Sequence, residues 1–459
     1  MTDLDVSPEL LKKYDRPGPR YTSYPTALEW TEDFGPDAYA AALDRAARAA
    51  DEPLSLYVHL PFCHERCLFC GCNVIISKRH SISDEYLGYL YRETAMVAQR
   101  LGQRRRVQQL HWGGGTPTFL HVDQLEALFG ELTQHFTLSP DAEIALEVDP
   151  RVTTREQLVA LRGLGFNRIS LGVQDLDPKV QAAIARNQTL AQTRQLIDWS
   201  RALGFGGVNM DLIYGLPEQT PATWEATIRE TIAIRPDRLA VYSYAHLPDR
   251  LKHQRRIDHL PRPAGPQKYA LFARARQLFL EAGYRAIGMD HFALPEDELA
   301  VALDAHRLHR NFMGYSVVPG SDQIGLGVSA IGEVGGVYAQ NEKRPALYHQ
   351  AIAAERFATM CGTRLSSDDA VRRWVIRQLM CNFRLSFAEQ HRRYEVHYDE
   401  YFAEEEAALA PLYAEGFLTR TADGLVVQPL GQVFIRNVCM AFDAYRKLPD
   451  AAAGFSRTV

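Results

Sequence analysis

The chain has 459 residues, 46% of them hydrophobic and 23% charged, with a formal net charge of −5. That length supports a large core and about two or three domains, and the composition is ordinary for a soluble globular protein. The negative balance excludes a global basic field, so no nucleic-acid partner is expected, and an anionic substrate needs local Arg, Lys and His clusters.

At the N-terminus, MTDLDVSPELLKKYDRPGPR is polar and charged and lacks the apolar core of a signal peptide. No run of about 18 apolar residues follows, so no membrane span is expected. These readings place the protein in the cytoplasm, a reducing compartment. The first 50 residues contain RPGPRYTSYPT (16–26), whose three prolines and few apolar residues suggest an extended arm or lid over 1–50.

From about residue 55 short apolar runs alternate with helical ones. The apolar runs are SLYVHLP (55–61), VQQLHWGG (107–114), EIALEVDP (143–150), RISLGVQ (168–174), GVNMDLIYG (207–215) and RLAVYSYAHL (238–247). In the first helical run, Leu87, Leu90, Tyr91, Val97 and Leu101 share a face; in a later one, Leu190, Leu196, Ile197 and Leu203 do so. Thr153 and Thr154 open a further helix that ends at Gly165. Six such units predict a parallel α/β sheet. Because each run ends in polar or Gly-rich residues, a partial (β/α)6 barrel fits better than an open sheet. This domain, with an extension containing a helix-like segment at 266–283, is expected over 51–360. A helix-rich C-terminal domain follows over 361–459. Its last part reads helix, hairpin, helix and resembles a winged-helix arrangement, but it has no basic recognition stripe.

Of seven cysteines, four fall in PFCHERCLFCGCNV, as Cys63, Cys67, Cys70 and Cys72. A disulfide framework suits a large cytoplasmic chain poorly. Zinc sites pair separated knuckles, and no second Cys/His pair follows at zinc-ribbon distance. One dense loop of thiolates suits an Fe–S cluster. Cys361, Cys381 and Cys439 lie in apolar or helical sequence and read as buried, inert thiols.

Other polar residues stand at the ends of successive apolar runs. Gly113, Gly114, Gly115 and Thr116 form a turn that permits close backbone approach. Glu147 can bind a hydroxyl or an ammonium group. Gln174, Arg186 and Asp211 occupy comparable places, and each alone would more often be structural. The run GLGVSAIG (325–332) has neither the spacing nor the surroundings of a dinucleotide fingerprint and reads as a loop approaching a ligand with its backbone.

The spacing C-x3-C-x2-C, with Phe69 before the third cysteine, resembles the signature of the radical S-adenosylmethionine (SAM) superfamily. That resemblance implies a 4Fe–4S cluster on Cys63, Cys67 and Cys70, with a fourth iron open to the amino and carboxylate groups of SAM. Cys72 is then a structural thiol, since a fourth ligand would close the site. The runs PRYTSYPTA (19–27), YVHLPFC with its cysteines (57–73), HWGGGTPT (111–118), EVDPR (147–151), SLGVQD (170–175), DLIYGLP (211–217), GLGVSAIG (325–332) and MCNFRLSF (380–387) resemble the oxygen-independent coproporphyrinogen III oxidase family.

The family resemblance implies oxidative decarboxylation of two propionates of coproporphyrinogen III to vinyl groups, giving protoporphyrinogen IX in heme biosynthesis. A 5′-deoxyadenosyl radical derived from SAM removes a propionate hydrogen. It also implies two SAM molecules. Tyr57, Gly113, Glu147, Ala245 and Ile331 resemble contacts to the cluster-bound one. Phe69, Gly114, Gly115, Thr116, Gln174, Arg186 and Asp211 resemble contacts to the second. A flavodoxin- or ferredoxin-like electron donor and a monomer are expected. Arg16, Arg20, Arg307 and Arg310 are candidates for the substrate carboxylates, with solvated surface charge as the competing reading. The rival within the family is a heme chaperone-like radical SAM protein, which lacks the RYTSYPT arm and typically differs at the fourth cysteine. A non-enzymatic Fe–S electron carrier would need neither the GGGTP turn nor a barrel.

Overall fold

The computed structural model describes residues 6–318 and 322–447, with 455, 457 and 458. It divides into two compact units, one made of Thr31–Leu278 and Gly320–Arg364, the other of Met1–Trp30, Phe279–Pro319 and Leu365–Val459.

In the first unit six parallel strands lie side by side in chain order: β1 (Leu54–Leu60), β2 (Arg106–Gly114), β3 (Thr137–Val148), β4 (Arg168–Gln174), β5 (Gly207–Tyr214) and β6 (Arg238–Ser243). The crossovers carry helices α1 (Ile82–Leu101), α2 (Val122–His135), α3 (Arg155–Gly163), α4 (Leu190–Ala202) and α5 (Pro221–Ile234). Next to β1 lies β7 (Gln323–Leu326), parallel to it, followed by antiparallel β8 (Ile331–Val334), β9 (Val337–Asn341) and β10 (Thr359–Arg364). Among the described residues no ladder returns from β6 to β1, so the six strands form a partial barrel extended beyond β1.

The strands form here because their apolar residues are covered on both faces. In β1, Leu54, Ser55 and Leu56 and then Val58, His59 and Leu60 are buried, as a parallel strand between helices requires. Leu110, Trp112, Leu146, Leu171, Met210, Leu212 and Val241 continue this core. Thr154, Thr189 and Thr220 open α3, α4 and α5 with capping boxes, each satisfying otherwise orphaned N–H groups. The caps at Thr154 and Thr220 thus set helix starts close behind the ends of β3 and β5.

Three details depart from the periodicity. β3 begins at Thr137, before the apolar run. β6 ends at Ser243, leaving Tyr244–His246 in a loop. There the side chain of Gln254 replaces ladder partners, accepting from Leu247 N (2.6 Å) and donating to Ala245 O (3.2 Å). In α1, Tyr91 is only partly buried, and Tyr86, Glu93 and Thr94 share the buried face instead.

In the second unit the proline-rich run is extended but anchored. Tyr14, Tyr21 and Tyr24 are buried in one apolar cluster with Leu379, Phe417 and Phe434. Arg436 donates to Pro19 O (2.9 Å) and to Gly18 O, and Tyr21 Oη donates to Asp443 (2.8 Å). The C-terminal stretch has helices at Ser367–Asn382 and Ala403–Ala414 and a three-stranded sheet of Arg384–Ser386, Gly424–Val427 and Leu418–Arg420. This contains the expected hairpin. Cys381 and Cys439 are buried, whereas Cys361, in the first unit, is half-buried.

Candidate functional site

The cysteine loop leaves the C-terminal end of β1 and is closed at its base. Phe62 and Cys63 pair in parallel with Ile75 and Ile76. Leu68 N donates to Ile184 O (2.9 Å) and Ser77 N to Cys63 O (3.0 Å). His253 Nε2 lies 2.8 Å from Cys70 O, and Gln254 Nε2 donates to Phe69 O (3.1 Å). With these carbonyls satisfied, the loop is held as a shaped element rather than a mobile tether.

Each of the three thiols has its own polar neighbour. Cys63 Sγ lies 3.6 Å from Thr116 Oγ1. Cys67 Sγ accepts from Arg186 Nη1 (3.5 Å) and Arg151 Nη2 (3.7 Å). Cys70 Sγ accepts from Cys72 N (3.4 Å). Burial pushes the Cys63 thiol up to about 11, whereas hydrogen bonding from the Cys72 thiol draws Cys70 below its ordinary value. Among the described residues no group of three or more His, Cys, Asp or Glu side chains gathers to hold a single metal ion. Three thiols on one loop, each with a separate polar neighbour, instead suit a cluster in which every thiolate takes its own iron. A cavity of about 210 Å³ opens beside Cys63, lined also by His64, Glu65, Thr116, Asp149, Arg151 and Val152.

The glycine turn meets this loop. Gly115 N donates to Leu60 O and Thr116 N to Phe62 O, both at 2.8 Å. A Cβ on Gly115 would come within 2.6 Å of Phe62 O, and one on Gly113 within 2.9 Å of Glu147 Oε1 and 3.1 Å of the Tyr57 ring. Gly114 has φ +117°, and its Cβ would strike His59 at 2.6 Å. Only glycines let the end of β2 approach β1, and Glu147 of β3, this closely. Glu147 accepts from Gly114 N (3.2 Å) and lies 3.5 Å from His111 Nε2. Burial would raise its pKa, but the hydrogen bond and charge of His111 and the Gly114 N–H outweigh it and hold it below the ordinary value. An ionised carboxylate with 44% of its side chain open is suited to an ammonium group.

Tyr57, Gly113 and Glu147 are thus together. Tyr57 also stacks near His111, with ring centroids 6.0 Å apart, and pairs in register with Gly325 of β7. Gly325 is packed against Ile331, whose O would be 2.5 Å from an added Cβ. Ala245 is joined to the cysteine loop through Gln254, which donates to both Ala245 O and Phe69 O.

A second group lies along β4 and β5. Gln174, at the end of β4, has φ +72°, a strained conformation for a residue with a side chain. A Cβ on Gly172 would meet Gln174 Nε2 at 2.9 Å and Arg186 Nη2 at 3.1 Å. Asp211 pairs in register with Gly172 and accepts from Asn209 Nδ2 (2.7 Å) and Ser170 Oγ (3.3 Å). Burial first, then the nearby charge of Glu147, pushes its carboxyl up to about 7. Phe69 turns instead to a small apolar cluster with Leu68, Ile213 and Tyr244.

Sequence patterns did not single out several participants. Asp149 clamps Arg151 through Nε (3.0 and 3.2 Å) and Nη2 (2.6 Å). Gln254, buried, links the cysteine loop to the end of β6. His59 bridges Tyr57 Oη (3.1 Å) and Asn73 O (3.0 Å). The histidine in PFCHERC's preceding strand was legible as part of a motif, but its partners were not. The arginine candidates all lie in the second unit. Arg20 pairs with Asp290, Arg310 donates to Arg20 O (2.6 Å), Arg16 donates to Asn437 (3.0 Å), and Arg307 is exposed.

The chain matches the radical SAM superfamily model over residues 57–231 and the HemN C-terminal domain model over 365–434. It is 44% identical over 456 residues to the oxygen-independent coproporphyrinogen III oxidase of Escherichia coli (strain K12), covering 99% of both chains. It is 43% identical over 460 residues to the protein of that name from Synechocystis, covering 99% of this chain and 98% of the relative. A solved structure described as coproporphyrinogen III oxidase (HemN) from Escherichia coli, a radical SAM enzyme, aligns with a TM-score of 0.91 at 43% identity. That alignment covers 97% of this chain and 100% of the other.

Proposed function

The chain belongs to the oxygen-independent coproporphyrinogen III oxidases, a family of radical SAM enzymes, and we propose that the residues gathered at the C-terminal ends of β1–β6 carry out that family's reaction. The enzyme converts coproporphyrinogen III to protoporphyrinogen IX: each of two propionate side chains gives a hydrogen atom to a 5′-deoxyadenosyl radical and one electron to an acceptor, releases CO2 and becomes a vinyl group. This reading is favoured over a heme chaperone-like protein by the full-length relatives.

In this assignment Cys63, Cys67 and Cys70 hold a 4Fe–4S cluster and Cys72 does not. Held there, a 4Fe–4S cluster would supply the electron for reductive cleavage of SAM to methionine and a 5′-deoxyadenosyl radical. The chain's own residues bind and orient. Glu147 takes the SAM ammonium, and Gly113 allows the close approach. Tyr57, Ala245 and Ile331 complete the first SAM site. Phe69, Gly114, Gly115, Thr116, Gln174, Arg186 and Asp211 form the second. The observation that carries this assignment is the meeting of the cysteine loop with the Gly113–Thr116 turn beside an ionised Glu147.

Functionally we divide the chain into an arm over 1–50, the catalytic barrel with its extension over 51–360, and a C-terminal domain over 361–459. The family match starting at 365 supports the last boundary. Among the described residues no helix is long and apolar enough to cross a membrane. We assign the enzyme to the cytoplasm as a monomer, fed by a flavodoxin- or ferredoxin-like donor.

Single serine replacements of the four loop cysteines test the ligand set. After anaerobic reconstitution, C63S, C67S and C70S should lose the 4Fe–4S spectrum and SAM cleavage, while C72S keeps the spectrum. A full cluster spectrum in any of the first three, or its loss in C72S alone, would overturn the assignment.

A further inference from the structure

Two guanidinium groups converge on one thiol. Arg186 Nη1 lies 3.5 Å and Arg151 Nη2 3.7 Å from Cys67 Sγ. Arg186 is already occupied in the assignment above, whereas Arg151 has no role there. Arg151 is nevertheless held at every guanidinium nitrogen. Asp149 grips its Nε at 3.0 and 3.2 Å and its Nη2 at 2.6 Å, and also accepts its backbone N–H at 3.0 Å. Its Nη1 donates to Arg186 O at 2.7 Å. Only 15% of the side chain is exposed; Glu65 approaches it at 4.0 Å with an open, 61% exposed side chain. Asp149 is shared, lying 3.5 Å from Arg186 Nη2. The group therefore contains two cations and one buried anion, and its positive side faces the sulfur.

A clamp of this kind fixes a donor against a ligand atom without occupying the place of a substrate. Reduction of a cluster adds one negative charge, spread partly onto the thiolate sulfurs. N–H donors and positive charge at a sulfur favour the reduced form, and both are established levers on cluster potential. An arginine cannot lose its proton to relieve the contact, and its planar fork keeps both the carboxylate and the sulfur in reach.

We propose that Arg151, locked by Asp149, is a positioning residue that donates to Cys67 Sγ and raises the reduction potential of the cluster on Cys63, Cys67 and Cys70. It makes the cluster easier to reduce by a low-potential one-electron donor. The inference rests on the cysteine assignment above. Arg151 is counted as acting through Cys67, not on SAM or the porphyrinogen.

The test is an EPR-monitored redox titration, without SAM, of the reconstituted wild type and of Arg151→Met and Arg151→Lys. Met removes donor and charge at similar length; Lys keeps the charge and loses the fork. At a fixed poise Arg151→Met should show about tenfold less reduced cluster relative to oxidised, which for a one-electron couple is a shift of about 59 mV to more negative potential. Arg151→Lys should lie between it and the wild type. An unchanged or raised potential in Arg151→Met overturns the proposal. If Arg151→Met assembles no cluster, Arg151→Lys decides: a lowered potential supports the role and an unchanged one overturns it. A wild type that forms no 4Fe–4S cluster on these cysteines would instead sink the assignment on which the proposal rests.

Discussion

Glu147 is the side chain in which position and charge agree most fully. It stands at the end of β3, is kept ionised by His111 and Gly114, and keeps an open face. Replacing it with Gln removes a charge-assisted contact to an ammonium group, worth about 1.5–3 kcal/mol. Glu147→Gln should therefore weaken SAM binding by roughly 10–100-fold in equilibrium dialysis, with the cluster spectrum retained. Gly114 makes a steric prediction. At φ +117°, with His59 2.6 Å from an added Cβ, Gly114→Ala should abolish SAM binding while the fold persists by circular dichroism. Residues of this kind were legible because the signal is local: four cysteines in one loop, three glycines in one turn. Arg151 and Gln254 were not, because they act at a distance, Arg151 on a cysteine 84 positions away and Gln254 on a carbonyl 185 positions away. Gln254→Leu should loosen Ala245 from the cysteine loop and raise the KM for SAM roughly tenfold, with a smaller effect on kcat.

At the scale of elements, α1 holds the loop between β7 and β8. Glu93 accepts from Gly327 N (2.6 Å), Asn341 Nδ2 (2.6 Å) and Tyr348 Oη (2.8 Å). Tyr86 Oη accepts from Val328 N (3.0 Å) and donates to His59 O (2.7 Å). This loop leads to Ile331, so helix side chains set where β8 begins. Burial pushes the Glu93 carboxyl from the ordinary 4.5 up to about 7. Between those values the folded state holds a proton that the unfolded chain has released, so stability falls as pH rises through that window. Glu93→Gln should flatten this part of the stability–pH curve measured by denaturant unfolding; an unaltered slope would remove Glu93 as its source. The elements themselves were readable. Six apolar runs bounded by Gly and polar residues predicted six strands, and Thr153 and Thr154 marked the start of one helix. The end of β6 was not readable, since its chain leaves the sheet for a side-chain partner. Nor was Glu93, a carboxylate on the buried face of α1, whose role depends on a loop 234 residues later.

At the scale of the whole molecule, the partial barrel was predictable because strand–helix alternation is repeated and its energetics are local to each unit. The grouping of residues 1–30 with 279–319 and 365–459 was not, because it depends on long-range burial of Tyr14, Tyr21 and Tyr24 that proline-rich sequence does not advertise. The activity follows from the barrel site as a whole, and one anaerobic incubation decides it. The reconstituted protein is mixed with SAM, a low-potential reductant and coproporphyrinogen III, and the porphyrins are separated after oxidation. Protoporphyrin IX should appear together with methionine and 5′-deoxyadenosine, and C63S should yield none. Heme binding, or SAM cleavage, with no protoporphyrin formed would contradict the account.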